Sequence, residues 1–462
     1  MAKLPHVEYP CEELPDDPAQ IRGLGLYEQR NGKFMQRIRV PGGRIEAAQL
    51  SGMAALAEGI TPGVPLHLTT RQDVEFHHVE RDDVPALHRG LAELGISCEG
   101  ACGDNVRNFT SDPGAGLLPG HPDVQPVAEA IEAAYATMDF LDDLPRKFKV
   151  SVSSSPEAQA GPWISDLGII AQGPDAFSVV LAGSLGAKPG TGIVYDESVS
   201  GEELVSLSVS VFRLFHDEAD RENRRRARLR HVRERLGDEA FVELVDEYRE
   251  REGDWPAVQA APSQDWQRVA VLHIPHGDIA VALARCIADW AGDQGLDLRI
   301  GLGHEVHVFG AERAEVPGEL VPYVTGPSIV SCTGAPLCPR GICQTERVEA
   351  YLRDMDLDWP ADLFVGISGC PNNCAHAAVA DIGLVGASRR GGVEQFNVLV
   401  GGGRGRNPWL ALELAQRVPA GAVPELVSGL VQHYQQHARS DETFAEYARR
   451  EVDELREQFG EA

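Results

Sequence analysis

Apolar and polar residues alternate along two well-separated stretches, LHLTTRQDVEFHHV from Leu66 and LRIGLGHEVHVFGA from Leu298. The period of two predicts strands in both. Each belongs to a longer series. RVPGGRI at 39–45 returns as HIPHGDI at 273–279, and ISCEGA from Ile96 returns as VSCTGA from Val330. VSVSSSPEAQ from Val150 returns as VGISGCPNNC from Val365, each followed by an Asp-apolar-Gly step at Asp166 and Asp381. FSVVLAGSLGAKP from Phe177 returns as FNVLVGGGRGRNP from Phe396. Five matches in one order predict an internally duplicated α+β chain. Between the halves, His216 to Glu252 combines apolar residues at helical spacing with dense charge of both signs, which predicts a solvated, ion-paired helix. The acidic flanks of Arg224, Arg225 and Arg226 argue against an RNA site there. The second half begins near Trp266, and about the last forty residues have a helical pattern.

A chain of 462 residues can hold two or three domains. Its formal charge of −28 disfavours nucleic acid and anionic membranes as partners. No apolar stretch is long enough for a membrane span, and nine cysteines without a secretory signal predict a cytoplasmic protein. The acidic composition fits a salt-adapted or a GC-rich source. Lysine is scarce: Lys3, Lys33, Lys147, Lys149 and Lys188 are the only ones, and two share the run LPRKFKV. Strand alternation puts Lys147 and Lys149 on one face, with Phe148 opposite. Adjacent ammonium groups repel unless an anion lies between them, so an anion site competes here with a solvated surface pair.

The cysteines carry the most specific chemistry. Cys332 and Cys338 lie in SCTGAPLC, and Cys370 and Cys374 in GCPNNC. Four thiolates from two turns rich in small residues suit an iron–sulfur cluster. A structural zinc prefers pairs separated by two to four residues, and a pair of disulfides is the other alternative. The repeat sets Cys98 opposite Cys332 but places Ser155 and Gln159 opposite Cys370 and Cys374, so only the second half can hold the cluster. Cys343 and Cys286 are expected to pack in the interior, and Cys98 and Cys102 to be buried thiols.

CTG-x3-C followed by GCPNNC resembles the signature of the sirohaem-dependent sulfite and nitrite reductases. The resemblance implies a [4Fe-4S] cluster on these four cysteines, with Cys374 also ligating the iron of sirohaem. It further implies paired ferredoxin-like halves and two α/β domains of sirohaem/cluster type. The corresponding ranges are 1–90 and 266–325 for the halves, 91–215 and 326–462 for the larger repeats, and 216–265 for the linker. Residues that match the family's anion-binding positions are Arg71, Arg107, Lys147 and Lys149. Thr69, Thr70, Gln72, Arg146, Arg404 and Arg406 are the expected sirohaem contacts, with Lys188 a further candidate.

The Lys-x-Lys pattern at Lys147 and Lys149 resembles the sulfite branch, whereas plant-type nitrite reductases tend to carry Asn at the second position. Six-electron reduction of sulfite to sulfide is therefore the expected activity, with nitrite to ammonia as the alternative. A corrinoid-pathway monooxygenase and a cluster protein without sirohaem are the more distant readings. The second-half strand departs from the family by placing His304 opposite Gln72. No G-x-G-x-x-G follows a strand, so electrons are expected from a separate protein, a ferredoxin or a flavoprotein.

Overall fold

The computed structural model describes residues 9–141, 143–157, 160–406 and 408–460, so Gln159 lies outside the described residues. In the first half, β1 (Leu26–Glu28), β2 (Phe34–Ile38), β3 (Arg44–Ile45), β4 (Leu66–Leu68) and β5 (Val74–Val79) precede a second group. That group is β6 (Thr110–Ser111), β7 (Val150–Ser153), β8 (Leu167–Gly173), β9 (Ala176–Leu181) and β10 (Ile193–Ser200). The second half repeats the plan with β11 (Gln267–His273), β12 (Asp278–Ile279), β13 (Asp297–Ile300) and β14 (Glu305–Gly310). Its larger group is β15 (Ser328–Ser331), β16 (Phe364–Ser368), β17 (Ile382–Arg390), β18 (Val393–Val400) and β19 (Leu412–Pro419).

The two large sheets have one topology: β6-β7-β8-β9-β10 and β15-β16-β17-β18-β19 each run parallel through three strands and antiparallel through the last two. Equivalent carboxylates hold equivalent points. Asp166 accepts the amide of Lys149 at 2.8 Å, and Asp381 accepts that of Phe364 at 2.9 Å. The smaller sheets exchange strands. β3 pairs with β13 of the other half and β12 pairs with β4, so the sheets are β1-β2-β5-β4-β12 and β11-β14-β13-β3. One hydrophobic core accordingly runs through both, from Leu26 and Phe76 to Ile300 and Val308. The duplicated, pseudo-twofold α+β architecture matches the sequence reading.

Two local features differ from the sequence pattern. Each alternating stretch is a hairpin rather than one strand, because TTRQD and GLGH turn the chain. Thr69 Oγ1 accepts the amides of Arg71 at 3.2 Å and Asp73 at 3.1 Å, a side-chain substitute for ladder bonds. The linker is also more than a solvated helix. It breaks into Leu229–Leu236 and Asp238–Arg251 after a helix ending at Glu218, and Phe241 and Val245 are fully buried. Arg224, Arg225 and Arg226 are exposed, as their flanks suggest, but in the non-helical break. Among the described residues, no helix is long and apolar enough to cross a membrane.

The strand exchange needs close backbone contact at two equivalent glycines. A Cβ on Gly277 would lie 2.6 Å from the Leu68 carbonyl oxygen, and φ there is +77°. Gly277→Ala is expected to lower unfolding free energy by roughly 3 kcal/mol, from left-handed strain plus overlap with backbone that cannot yield. A denaturant titration checks this; an unchanged midpoint would mean that the two halves can separate locally without cost.

Candidate active site

The two cysteine turns are stacked on each other at the C-terminal ends of β15 and β16. Ile342 and Cys343 both donate their amides to the Gly369 carbonyl, at 2.8 and 3.0 Å, and the Gly369 amide points at Cys332 Sγ from 3.2 Å. A Cβ on Gly341 would meet the Ala335 amide nitrogen at 2.6 Å, and one on Gly369 the Cys343 carbonyl at 2.8 Å. Small residues are thus required for this stacking. All nine cysteines are free; Cys370 is buried, Cys332 and Cys338 are half-buried and Cys374 is exposed. Cys343 is fully buried in the apolar core of the cluster domain, as expected for a packing residue.

Burial pushes the thiols of Cys332, Cys338 and Cys370 up, and each is raised further by the neighbouring Cys374. Four mutually repelling thiolates need a compensating metal core. A donor set of four thiolates from two turns of small residues has the chemistry of an iron–sulfur cluster site.

The first half reaches directly onto this motif. Thr70 donates its hydroxyl to the Cys374 carbonyl at 2.8 Å, and Arg30 donates to the Gly341 carbonyl at 2.8 Å. Asn373 donates to the Gly186 carbonyl at 2.9 Å. Beside Cys374 lies a concentration of positive charge. Arg71 donates to the carbonyls of Asn108 and Val150, with Nε left unpartnered, and Arg107 donates to those of Ala101 and Gly103. Lys147 and Lys149 flank the fully buried Phe148 and have no carboxylate partner among the described residues. Burial, then Arg107, pushes Lys147 down to about 7, while Cys374 pulls the other way; burial, then Arg71, holds Lys149 well below the usual lysine range. Arg71 is lowered to about 10 by burial. Such uncompensated cations in a chain of −28 fit an anionic occupant, whether a carboxylate-bearing macrocycle or a substrate oxyanion.

The other expected contacts are dispersed. Gln72 is fully buried and committed, donating to the carbonyls of Ser111 and Ile300 at 3.0 and 2.8 Å. Arg146 pairs with Asp104 at 3.2 Å. Arg404 stacks 3.5 Å above the Phe364 ring, whereas Arg406 is exposed and pairs with Glu157 at 2.8 Å. Lys188 is exposed. An open cleft of about 750 Å³ behind the Ala101–Arg107 loop is a different place: its Arg39, Arg221 and Arg224 are each closed by a carboxylate.

The sequence reading passed over Arg228. It is 9 % exposed, and its Nη2 lies 2.6 Å from Oδ2 of the fully buried Asp166, alongside Lys147 and Lys149. The signal was its apolar flanks, since Ala227 and Leu229 are fully buried within an otherwise charged run. Arg228→Met is expected to cost about 3 kcal/mol of stability by stranding the Asp166 charge, and Asp166→Asn in the same chain should return most of it. Chemical denaturation of both variants tests the pairing; equal losses would mean that Asp166 acts only through the Lys149 amide.

Comparison with known proteins bears on the whole chain. Residues 102–252 and 327–462 match the nitrite and sulphite reductase 4Fe-4S domain, and residues 27–94 match the nitrite/sulfite reductase ferredoxin-like half domain. An assimilatory ferredoxin-dependent nitrite reductase from Haloferax mediterranei is 28 % identical, with 95 % of this chain and 87 % of the relative covered. A protein named sulfite reductase [ferredoxin] 2, from Mycolicibacterium paratuberculosis, is 25 % identical over 92 % of this chain and 83 % of its own length. In fold, the chain superimposes on the Mycobacterium tuberculosis NirA protein with a TM-score of 0.78 and 23 % identity, covering 95 % of this chain and 92 % of that one. With both sheet systems matched and four free thiols gathered on the turns of the 4Fe-4S domain, this chain belongs to the sirohaem- and [4Fe-4S]-dependent nitrite and sulphite reductases, a family of oxidoreductases.

Proposed function

We propose that the chain catalyses six-electron reduction of sulfite to sulfide, with Arg71, Arg107, Lys147 and Lys149 holding the anion. The observation that carries this reading is the group of four cations, served by carbonyls or by nothing, beside Cys374. Cys332, Cys338, Cys370 and Cys374 would hold the cluster, and Cys374 would also reach the sirohaem iron. Thr69, Gln72, Arg146, Arg404 and Arg406 are the proposed surroundings of the macrocycle, Gln72 by shaping the turn that carries Arg71. Bound sirohaem would supply an iron that takes the anion and passes it electrons singly.

The protein's own contribution is electrostatic and protic. Arg71 and Arg107 present guanidinium groups that would stabilise negative charge as it builds on the anion's oxygens. An anion beside Lys147 and Lys149 favours their charged forms, from which each can donate a proton to departing oxygens. Two adjacent lysines favour a dianion, because Coulomb attraction scales with substrate charge.

Nitrite is the second reading, favoured by the names of several relatives, including those from Haloferax mediterranei and from the rice and maize chloroplast. Those names also support a ferredoxin as electron donor; a separate flavoprotein is the alternative. The test is anaerobic turnover of sirohaem-loaded protein with a reduced artificial donor. kcat/KM for sulfite is expected to exceed that for nitrite by about tenfold or more. A reversed ratio would make nitrite the substrate, and turnover of neither would remove the reductase reading.

A further inference from the structure

The helix Glu346–Arg353 follows the first pair of cysteines and turns one face toward β15. Thr345, Glu349 and Arg353 are spaced by four, so their side chains share that face, and each bonds to β15 or to the residue after it. Thr345 donates its hydroxyl to the Cys332 carbonyl. Glu349 accepts the Ser331 hydroxyl, and Arg353 donates to the Ile329 carbonyl at 2.9 Å and to Glu349 at 2.7 Å. The turn that leads into β12, the strand exchanged into the other small sheet, adds His276. Its amide donates to Glu349 at 2.9 Å, and its Nδ1 lies 2.5 Å from Ser331 Oγ. Ser331 has one proton and the carboxylate can only accept it, so His276 Nδ1 supplies the proton of the remaining bond.

Thr345 also stands between the two cysteine turns. A Cβ on Gly334 would lie 2.6 Å from Thr345 Oγ1, and one on Gly369 would lie 3.3 Å from its Cγ2. Across the same gap the Gly369 amide donates to Cys332 Sγ at 3.2 Å. The threonine therefore fixes the spacing of an N–H···S bond. Hydrogen bonds to the sulfurs are one control on the reduction potential of an iron–sulfur cluster, because they stabilise the reduced, more negative state most.

Packing does not account for these side chains. Thr345 occupies the N-cap of its helix, where a threonine hydroxyl ordinarily accepts a backbone amide of the first turn, yet it makes no such bond. His276 has φ +58°, and its equivalent in the first half is Gly42 at +61°, a residue that takes this conformation without strain. A buried carboxylate must be desolvated, and an apolar side chain would fill the place of Glu349 at least as well. The first half, where the cluster cysteines are lost, has none of these bonds at the equivalent points. Gly42 carries no side chain, and Ser97, opposite Ser331, is exposed with Oγ accepting the Glu99 amide at 3.1 Å.

We propose that Thr345, with Glu349 and His276 behind it, is a positioning residue that sets the reduction potential and the iron retention of the cluster through Cys332, an inference that rests on the four-cysteine cluster reading. Without the Thr345 hydroxyl the Cys332 carbonyl is released and the two turns separate, which weakens the bond from Gly369 to Sγ. The potential then falls, since the reduced state loses more than the oxidised one. Because His276 belongs to the turn before the exchanged strand, the same network ties the junction of the two halves to the cluster.

The test uses the fully loaded protein with Thr345→Val, which keeps the shape and removes the hydroxyl, Thr345→Ser, which restores it, and His276→Gly, which installs the residue of the first half. A redox titration followed by the paramagnetic signal of the reduced cluster is expected to show a lower midpoint potential in Thr345→Val, and iron should pass to a chelator about tenfold faster. His276→Gly should move both in the same direction by less, and Thr345→Ser should match the unaltered protein. Should Thr345→Val assemble no cluster, His276→Gly and Thr345→Ser decide. Unchanged potential and iron release in Thr345→Val, or a lower melting temperature with both unchanged, would assign the network to packing and overturn the proposal while leaving the cluster reading in place. Failure of the unaltered protein to hold a cluster would overturn both.

Discussion

Replacing Cys338 with serine is expected to leave a protein without cluster absorption and with turnover reduced more than about 100-fold. Changing a group that merely orients a metal ligand costs roughly 10–100-fold, and loss of a ligand exceeds that range. The turn has no substitute to offer. Cys343 is the nearest other thiol in sequence, but it is fully buried in the apolar core, with Sγ facing the Gln395 carbonyl at 3.4 Å. Stability should fall as well, since metal binding contributes to folding wherever the unfolded chain cannot preform the site. The Cys374 carbonyl is held by Thr70 of the first half, so loosening of the cluster turns should reach the cavity. Iron analysis, visible absorption and thermal unfolding of the variant are the measurements. Retained iron and turnover would remove Cys338 from the ligand set.

The duplication was legible because its carriers are local: an alternating stretch, a Pro-x-Gly turn, and an Asp before each central strand. Asp166 and Asp381 recur in sequence because both accept an amide at the start of a strand, that of Lys149 just before β7 and that of Phe364 at the first residue of β16. The strand exchange was not legible. β3 and β12 are two residues long, and their pairing with the opposite half is set by tertiary contact rather than by any period in the chain. The cysteine turns could be read because thiolate chemistry permits few alternatives. Arg228 could not, because ion-pair composition looks the same on a solvated helix and on a segment folded back over a buried aspartate. His67 and His304 are plain in the sequence as LHL and GHEVH, but only the exchange of strands between halves brings their rings to 5.5 Å from each other.

Lys149→Asn is expected to lower kcat/KM for sulfite by about 100-fold and for nitrite by about tenfold. The side chain is half-buried beside Arg71, Lys147 and Arg228, with no carboxylate to offset it. At an effective dielectric of about 20, a unit charge 4 Å away contributes roughly 4 kcal/mol per unit of substrate charge before desolvation is subtracted, so the dianion loses about twice what the monoanion loses. Asparagine keeps a hydrogen bond donor, which confines the change to charge and to the proton that lysine can transfer. Removing that proton acts on kcat, and removing the charge acts on KM, so both should move for sulfite. The fold should tolerate the change, because Lys149 anchors the strand through its amide to Asp166 and not through its ammonium group. Steady-state kinetics with the two anions, side by side on one preparation, measure the ratio. Equal losses for sulfite and nitrite would mean that Lys149 acts through its proton alone and that substrate charge is recognised elsewhere in the cavity, by Arg71 and Arg107.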